Sequence, residues 1–88
     1  MNREELWEFP HTMRLRVMGA TGSAVREEVV RILSRHLEDF DPQQHLSQQP
    51  SRRGNYVSIQ ARVTLHDAGQ VRAIYAELNA SPEVKVVL

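Results

Sequence analysis

Strict alternation of apolar and polar side chains over residues 56–65 is the feature that most constrains how this chain folds. Apolar residues occupy every second position of the segment, and the residues between them are polar. A period of two residues is typical of a β-strand that buries one face and exposes the other. The predicted buried set is Val57, Ile59, Ala61, Val63 and Leu65.

Three other segments have the character of strands. Residues 11–18 alternate between apolar side chains and polar ones that include Arg14 and Arg16. Residues 84–88 are rich in β-branched side chains, which favour strands. Residues 41–50 are polar and contain prolines near both ends, which predicts a strand at the edge of the sheet.

Two amphipathic segments are predicted to be helices, because apolar side chains recur in them at helical spacing. The first covers residues 24–37, with Ser23 as its N-cap. The second follows Asp67, which is predicted to form a capping box with Gln70. Asn79 is expected at the C-terminal cap of the second helix.

The resulting order is β-α-β-β-α-β, which predicts an α+β fold. Right-handed connections favour a ferredoxin-like sandwich, in which a four-stranded antiparallel sheet carries two helices on one face. The first and third strands are then central and the other two are edges. A meander with differently packed helices is the alternative. A chain of 88 residues forms one domain, here residues 1–88. Residues 1–10 are expected to be an N-terminal extension that Leu6, Trp7 and Phe9 anchor.

Composition excludes several classes of function. Eleven basic and eleven acidic side chains give a net charge of zero, which weighs against a general nucleic-acid binder. The absence of cysteine excludes disulfides and thiolate chemistry. The start of the chain is no targeting signal and no apolar run approaches the length of a membrane span, so we expect a cytoplasmic protein.

Catalysis and metal binding find no support in the pattern of residues. The four histidines are scattered singly, without the spacing of metal ligands. Adjacent carboxylates such as Glu27 and Glu28 do not converge on a helix, and a chain this short cannot build a deep cleft. We therefore expect no catalytic residues, no metal, no cofactor and no enzymatic activity.

The loop before the first helix is a candidate ligand site. Gly19, Thr21, Gly22 and Ser23 precede the helix N-terminus, where free backbone N–H groups can receive an anion or a ligand carboxylate. The alternative is a tight turn in which the glycines adopt positive φ. The second interpretation is the more common use of glycine at such a position.

Arginines are candidate contacts for an anion or a partner. Arg52 and Arg53 lie in a turn over residues 51–55, and the sequence that follows has a distant likeness to RNA-recognition motifs without their stacking aromatics. The remaining candidates belong to the sheet face without helices. That face is predicted to contain Arg14, Arg16, Met18, Gln60, Arg62 and Val87. A second copy of the chain is expected to cover this face, or the apolar edge strand, in a homodimer.

Short motifs in the same order across the chain resemble the YbeD-like family of uncharacterised bacterial proteins. They are Glu8-Phe9-Pro10, residues 16–19, residues 50–56, residues 74–78 and Val87-Leu88. That family is similar to ACT-type regulatory domains, which bind small molecules near the first strand-to-helix loop. The resemblance implies a ligand at Gly19–Gly22. Some members are encoded near lipoate-metabolism genes, which implies a link to that metabolism.

Three hypotheses follow from the residues and the resemblance. The first is a non-enzymatic ACT-like regulatory module, cytoplasmic and homodimeric, that senses a small-molecule effector or docks on a regulated protein. The second is a protein–protein adaptor that uses the edge strand over residues 84–88 or the helix-free sheet face. RNA binding through Arg14, Arg16, Arg52 and Arg62 is a weaker third.

Overall fold

The computed structural model describes residues 7–88 and contains four strands and three helices. In chain order they are β1 (His11–Ala20), α1 (Val25–His36), α2 (Pro42–His45), β2 (Leu46–Pro50), β3 (Tyr56–Leu65), α3 (Ala68–Ala80) and β4 (Val86–Val87). The predicted β-α-β-β-α-β order is confirmed, and the short helix α2 is an addition to it. The segment predicted as one strand over residues 41–50 begins with α2, so only its second half pairs with the sheet.

The four strands form one antiparallel sheet in the order β2-β3-β1-β4. The two central strands are therefore β1 and β3, as the sequence predicts, and the ferredoxin-like α+β arrangement is confirmed. The register places Leu15 opposite Ala61 and Arg14 opposite Arg62. Residues of one parity consequently face the helices, and those of the other parity face away from them.

The core lies between the sheet and the two long helices α1 and α3. Leu15, Val17, Ile59, Ile32 and Leu78 have at most 2% of their surface exposed. Val25 and Val29 supply the rest of the buried stripe of α1 together with Leu33, while α3 contributes Val71 and Ile74. Burial of this apolar stripe is the main favourable contribution to the free energy of packing the helices on the sheet.

Helix ends differ in part from their predicted caps. Asp67 Oδ1 accepts a hydrogen bond from Gln70 N at 2.8 Å, so the predicted N-cap is confirmed. Gln70 Oε1 in turn accepts from His66 N rather than from the cap residue. The prediction of Asn79 as a C-cap is wrong, because α3 ends at Ala80 and its C-cap residue is Ser81.

The side chains of the last strand, β4, face the opposite sides of the sheet from those predicted. Val87 pairs with Val17, so its side chain lies on the helix side and packs against the core. Val86 pairs with Met18 and faces away from the helices. The placement of Val87 on the helix-free face is therefore wrong, because the register with β1 rather than local alternation decides which side each residue faces.

The segment before β1 packs on the core through two of its predicted anchors. Trp7 and Phe9 are partly buried against the core cluster, and the ring centroids of Trp7 and His11 are 4.4 Å apart. Leu6, the third predicted anchor, lies outside the described residues. Within residues 7–88 the helices are too short and too polar for any of them to cross a membrane.

Candidate functional site

The loop between β1 and α1 is fastened to the turn between β2 and β3. Thr21 N donates to Asn55 O at 3.0 Å, and Thr21 Oγ1 donates to Gly54 O at 2.5 Å. Gly22 adopts a φ of +83°, as the turn interpretation predicts, whereas Gly19 does not adopt positive φ. The hydroxyl of Thr21 thus ties two loops together in the folded chain.

A carboxylate of the chain itself occupies the N-terminus of α1. Glu83 Oε1 accepts a hydrogen bond from Ala24 N at 2.8 Å. Ser23 Oγ instead donates to Ala20 O, and the N-cap position belongs to Ala24, so the prediction of Ser23 as N-cap is wrong. An anion at this N-terminus satisfies a free N–H group and complements the helix dipole. Glu83 provides that anion from 59 residues further along the chain.

Replacing Glu83 with alanine is expected to lower the free energy of unfolding by about 1 kcal/mol, because one helix N–H group loses its acceptor and the dipole its counter-charge. Chemical denaturation measures the change. Glu27→Ala is the matched control, since this exposed glutamate also lies at the start of α1 but accepts no bond from Ala24. Equal losses in the two variants would contradict the capping role of Glu83.

The five predicted arginines separate into two groups. Arg14, Arg16 and Arg62 lie on the sheet face opposite the helices, hereafter the open face, and all three are exposed. Arg52 and Arg53 are exposed in the turn before Tyr56. Arg62 lies six positions after Tyr56 along β3, which corresponds to about 20 Å. The two groups therefore do not form one patch.

The described strands bring no aspartate or glutamate to the face that carries Arg14, Arg16 and Arg62. Arg14 stands directly opposite Arg62, and Arg16 stands opposite Gln60. None of the three salt bridges within residues 7–88 involves Arg14, Arg16 or Arg62. Like charges at directly opposed positions destabilise a sheet. The pair Arg14–Arg62 therefore has a cost in folding that an anionic group on the open face would remove.

Exposed apolar side chains gather at the other half of the open face. Three large apolar residues of the described chain are exposed, Tyr56 at 46%, Val86 at 43% and Leu88 at 59%. Tyr56 stands opposite Ala20, and Val86 stands opposite Met18. Leu88 exchanges backbone hydrogen bonds with Arg16 and so faces the same side. The open face is thus cationic at one end and apolar at the other.

A cavity of about 460 Å³ lies at the end of the sheet near the C-terminus of α1, and His36, His45 and His66 are among its lining residues. No group of three metal-ligating side chains within residues 7–88 could hold an ion. His36 is hydrogen-bonded to Glu77 of α3, which lowers the pKa of the Glu77 carboxyl group. Arg35 adds an ion pair to Glu77 at 3.2 Å. These contacts join α1 to α3.

Comparison with known proteins identifies the family. Residues 4–88 match the family described as "Protein of unknown function (DUF493)". The chain belongs to this family. Members that it resembles include UPF0250 proteins of Leptothrix cholodnii, 36% identical over 97% of this chain and 92% of the relative, and of Shewanella sediminis, 37% identical over 97% and 93%. The YbeD-like resemblance is confirmed.

A solved structure shares the fold of this DUF493 chain. "The structure of uncharacterized protein TM1266 from Thermotoga maritima" superposes with a TM-score of 0.64 and covers 89% of this chain and 94% of that one. The two sequences are 16% identical, so the likeness concerns the fold alone. The shared fold therefore assigns no function to this chain.

The polar residues that α2 brings to the open face are not among the predicted site residues. His45 and Gln44 of α2 line a groove there together with Ser47 of β2. The signal for α2 is present in the sequence, because Asp41 is an N-cap residue type and Pro42 suits the first helical position. Asp41 Oδ1 does accept a hydrogen bond from Gln43 N at 3.0 Å.

Proposed function

We propose that this protein is a non-enzymatic interaction module whose open face docks an acidic segment of a partner protein. The observation that carries the proposal is the make-up of that face. Exposed large apolar side chains and uncompensated arginines occur together there, at Tyr56, Val86 and Leu88 and at Arg14, Arg16 and Arg62. Contiguous exposed apolar surface beside such polar groups is typical of interaction sites.

Charge complementarity favours an acidic occupant. The described residues of the open face include no aspartate or glutamate, and their charged members are all arginines. Arginine binds carboxylates through two parallel hydrogen bonds, and it is enriched at protein interfaces. A segment with carboxylates toward Arg16 and apolar side chains toward Val86 and Leu88 would match the two halves of the face.

Two other occupants fit the same face less well. A second copy that used this face symmetrically would bring no aspartate or glutamate of its own open face to the arginines. A nucleic acid would find Tyr56 as the one aromatic side chain of the described open face, on a chain with zero net charge. Both occupants remain outcomes of the test.

Small-molecule sensing at Gly19–Ser23 has weaker support. The bonds of Thr21 to the neighbouring turn and of Glu83 to Ala24 already use donors and acceptors that a ligand would need. A regulatory role is better served by docking, because the open face can distinguish a partner by charge and by apolar contact. We therefore retain the regulatory hypothesis in the form of protein docking.

A synthetic peptide in which glutamate alternates with leucine tests the proposal. Fluorescence anisotropy gives its dissociation constant, and amide NMR shifts locate the contact. Arg16→Gln combined with Leu88→Ser is expected to weaken binding by about tenfold, since one charged contact and one apolar contact are lost. Arg26→Gln is the matched control, because Arg26 is exposed on α1 and its loss changes the net charge equally.

Three outcomes would contradict the proposal. One is equal affinity of the doubly substituted protein and the Arg26→Gln control. Another is tighter binding of a single-stranded RNA than of the peptide through the same residues. The third is sedimentation as a dimer that Arg16→Gln stabilises, which would identify the occupant as a second copy.

A further inference from the structure

A groove of about 250 Å³ lies where α2 meets the open face. It is at the cationic end of that face, and six of its eight lining residues have side chains that can donate a hydrogen bond. The residues that carry the argument are Arg14, Gln44, His45, Ser47, Gln60 and Arg62. His45 and Arg62 also line the neighbouring larger cavity, which Glu38 and Asp39 line as well, but neither of these carboxylates lines this groove.

The ring of His45 is held in one orientation. Asp41 N donates a hydrogen bond to His45 Nδ1 at 3.1 Å, so the neutral ring has its proton on Nε2. The ring of Phe40 packs beside it with centroids 6.0 Å apart. Asp41 is itself fixed, because its side chain caps α2. His45 therefore offers an N–H donor whose direction is set by the fold.

The two arginines of the groove come from opposed positions on neighbouring strands. Arg14 and Arg62 are Cα partners in the central pair of strands, so their Cα atoms lie about 4.5 Å apart and their side chains leave the sheet on the same face. Like charges on directly opposed residues repel each other, and an anion between them would remove that repulsion. One carboxylate has two oxygens and four lone-pair positions, enough to accept from both arginines.

We propose that this groove is a carboxylate-binding pocket, in which Arg14 and Arg62 hold the two oxygens and His45 Nε2–H donates to one of them. The inference rests on the proposed docking function, and it assigns the pocket to one aspartate or glutamate side chain of the docked segment. A free dicarboxylate has the same chemistry and is the second source of the ligand.

The test measures the same glutamate–leucine peptide and, separately, glutarate as a free dicarboxylate. Side-chain ¹⁵N signals of the arginines and of the His45 ring report occupancy directly. Arg62→Gln is expected to weaken the binding of the peptide by about tenfold. Arg72→Gln is the matched control, since Arg72 is an exposed arginine on α3, away from the open face. Shifts with glutarate as strong as with the peptide would assign the pocket to a free metabolite.

His45 is tested by its replacements. His45→Phe keeps a ring beside Phe40 and removes the donor, so we expect about fivefold weaker binding. His45→Gln restores an N–H donor and is expected to recover most of the affinity. Thermal unfolding of each variant shows whether α2 remains folded. If His45→Phe and His45→Gln are both folded and weaken peptide binding equally, the role of Nε2–H is contradicted.

The pocket and the docking function fail in different ways. If Arg62→Gln and Arg14→Gln bind the peptide as well as the wild-type protein while Arg16→Gln with Leu88→Ser binds it more weakly, the pocket is refuted and docking stands. If none of these variants weakens the peptide, docking itself is refuted. Tighter binding of inorganic phosphate than of glutarate would show that the pocket selects a different anion and would overturn the carboxylate assignment.

Discussion

Replacing Gly19 with alanine is expected to destabilise the protein by about 2–3 kcal/mol. A Cβ atom at this position would lie 2.6 Å from Val25 Cβ and 2.7 Å from Glu83 O. Neither neighbour can move easily, because Val25 is buried in the first turn of α1 and the carbonyl oxygen of Glu83 belongs to the backbone. The helix or the segment before β4 would have to shift, and Glu83 would lose its position at the N-terminus of α1.

Urea denaturation of the wild-type and substituted proteins measures this change. Gly69→Ala is the control, because Gly69 is exposed in the first turn of α3 and an added Cβ there would lie 3.1 Å from the capping oxygen Asp67 Oδ1, which needs to move by only a few tenths of an ångström. Alanine favours a helix over glycine by up to about 1 kcal/mol, so the control is expected to stay within about 1 kcal/mol of the wild-type protein. Equal stability of the two variants would refute the close approach at Gly19.

The central half of the fold could be predicted because its signals are local. Alternation over β1 and β3 identifies both strands and the side chains that they bury, and each strand agrees with the prediction within two residues. Asp67 predicts the start of α3, because its own side chain caps the helix. A long run of alternation and a capping residue can both be recognised without information from elsewhere in the chain.

The edges of the fold depend on distant contacts that no local pattern contains. The capping carboxylate of α1 is Glu83, far along the chain, while the local candidate Ser23 bonds to the preceding turn. The parity of β4 follows from its register with β1. Alternation did place Arg14, Arg16 and Arg62 on one face, but only the register shows that Arg14 opposes Arg62.

Replacing Val87 with aspartate is expected to destabilise the protein by about 2–3 kcal/mol, whereas the same change at Val86 is expected to cost less than about 1 kcal/mol. Val87 packs against the core on the helix side, opposite the fully buried Val17. A carboxylate there would lose water without gaining a partner. Val86 is 43% exposed on the open face, where a carboxylate stays hydrated.

The two neighbouring valines test the register of β4 directly. A slip of one residue would exchange their faces, and Val86→Asp would then be the destabilising change. Thermal unfolding therefore distinguishes the two registers with matched substitutions. Val86→Asp also adds a negative charge beside Leu88 and Arg16, so it is expected to weaken the acidic peptide while the fold persists. Such a variant separates loss of docking from loss of structure, which Val87→Asp cannot do.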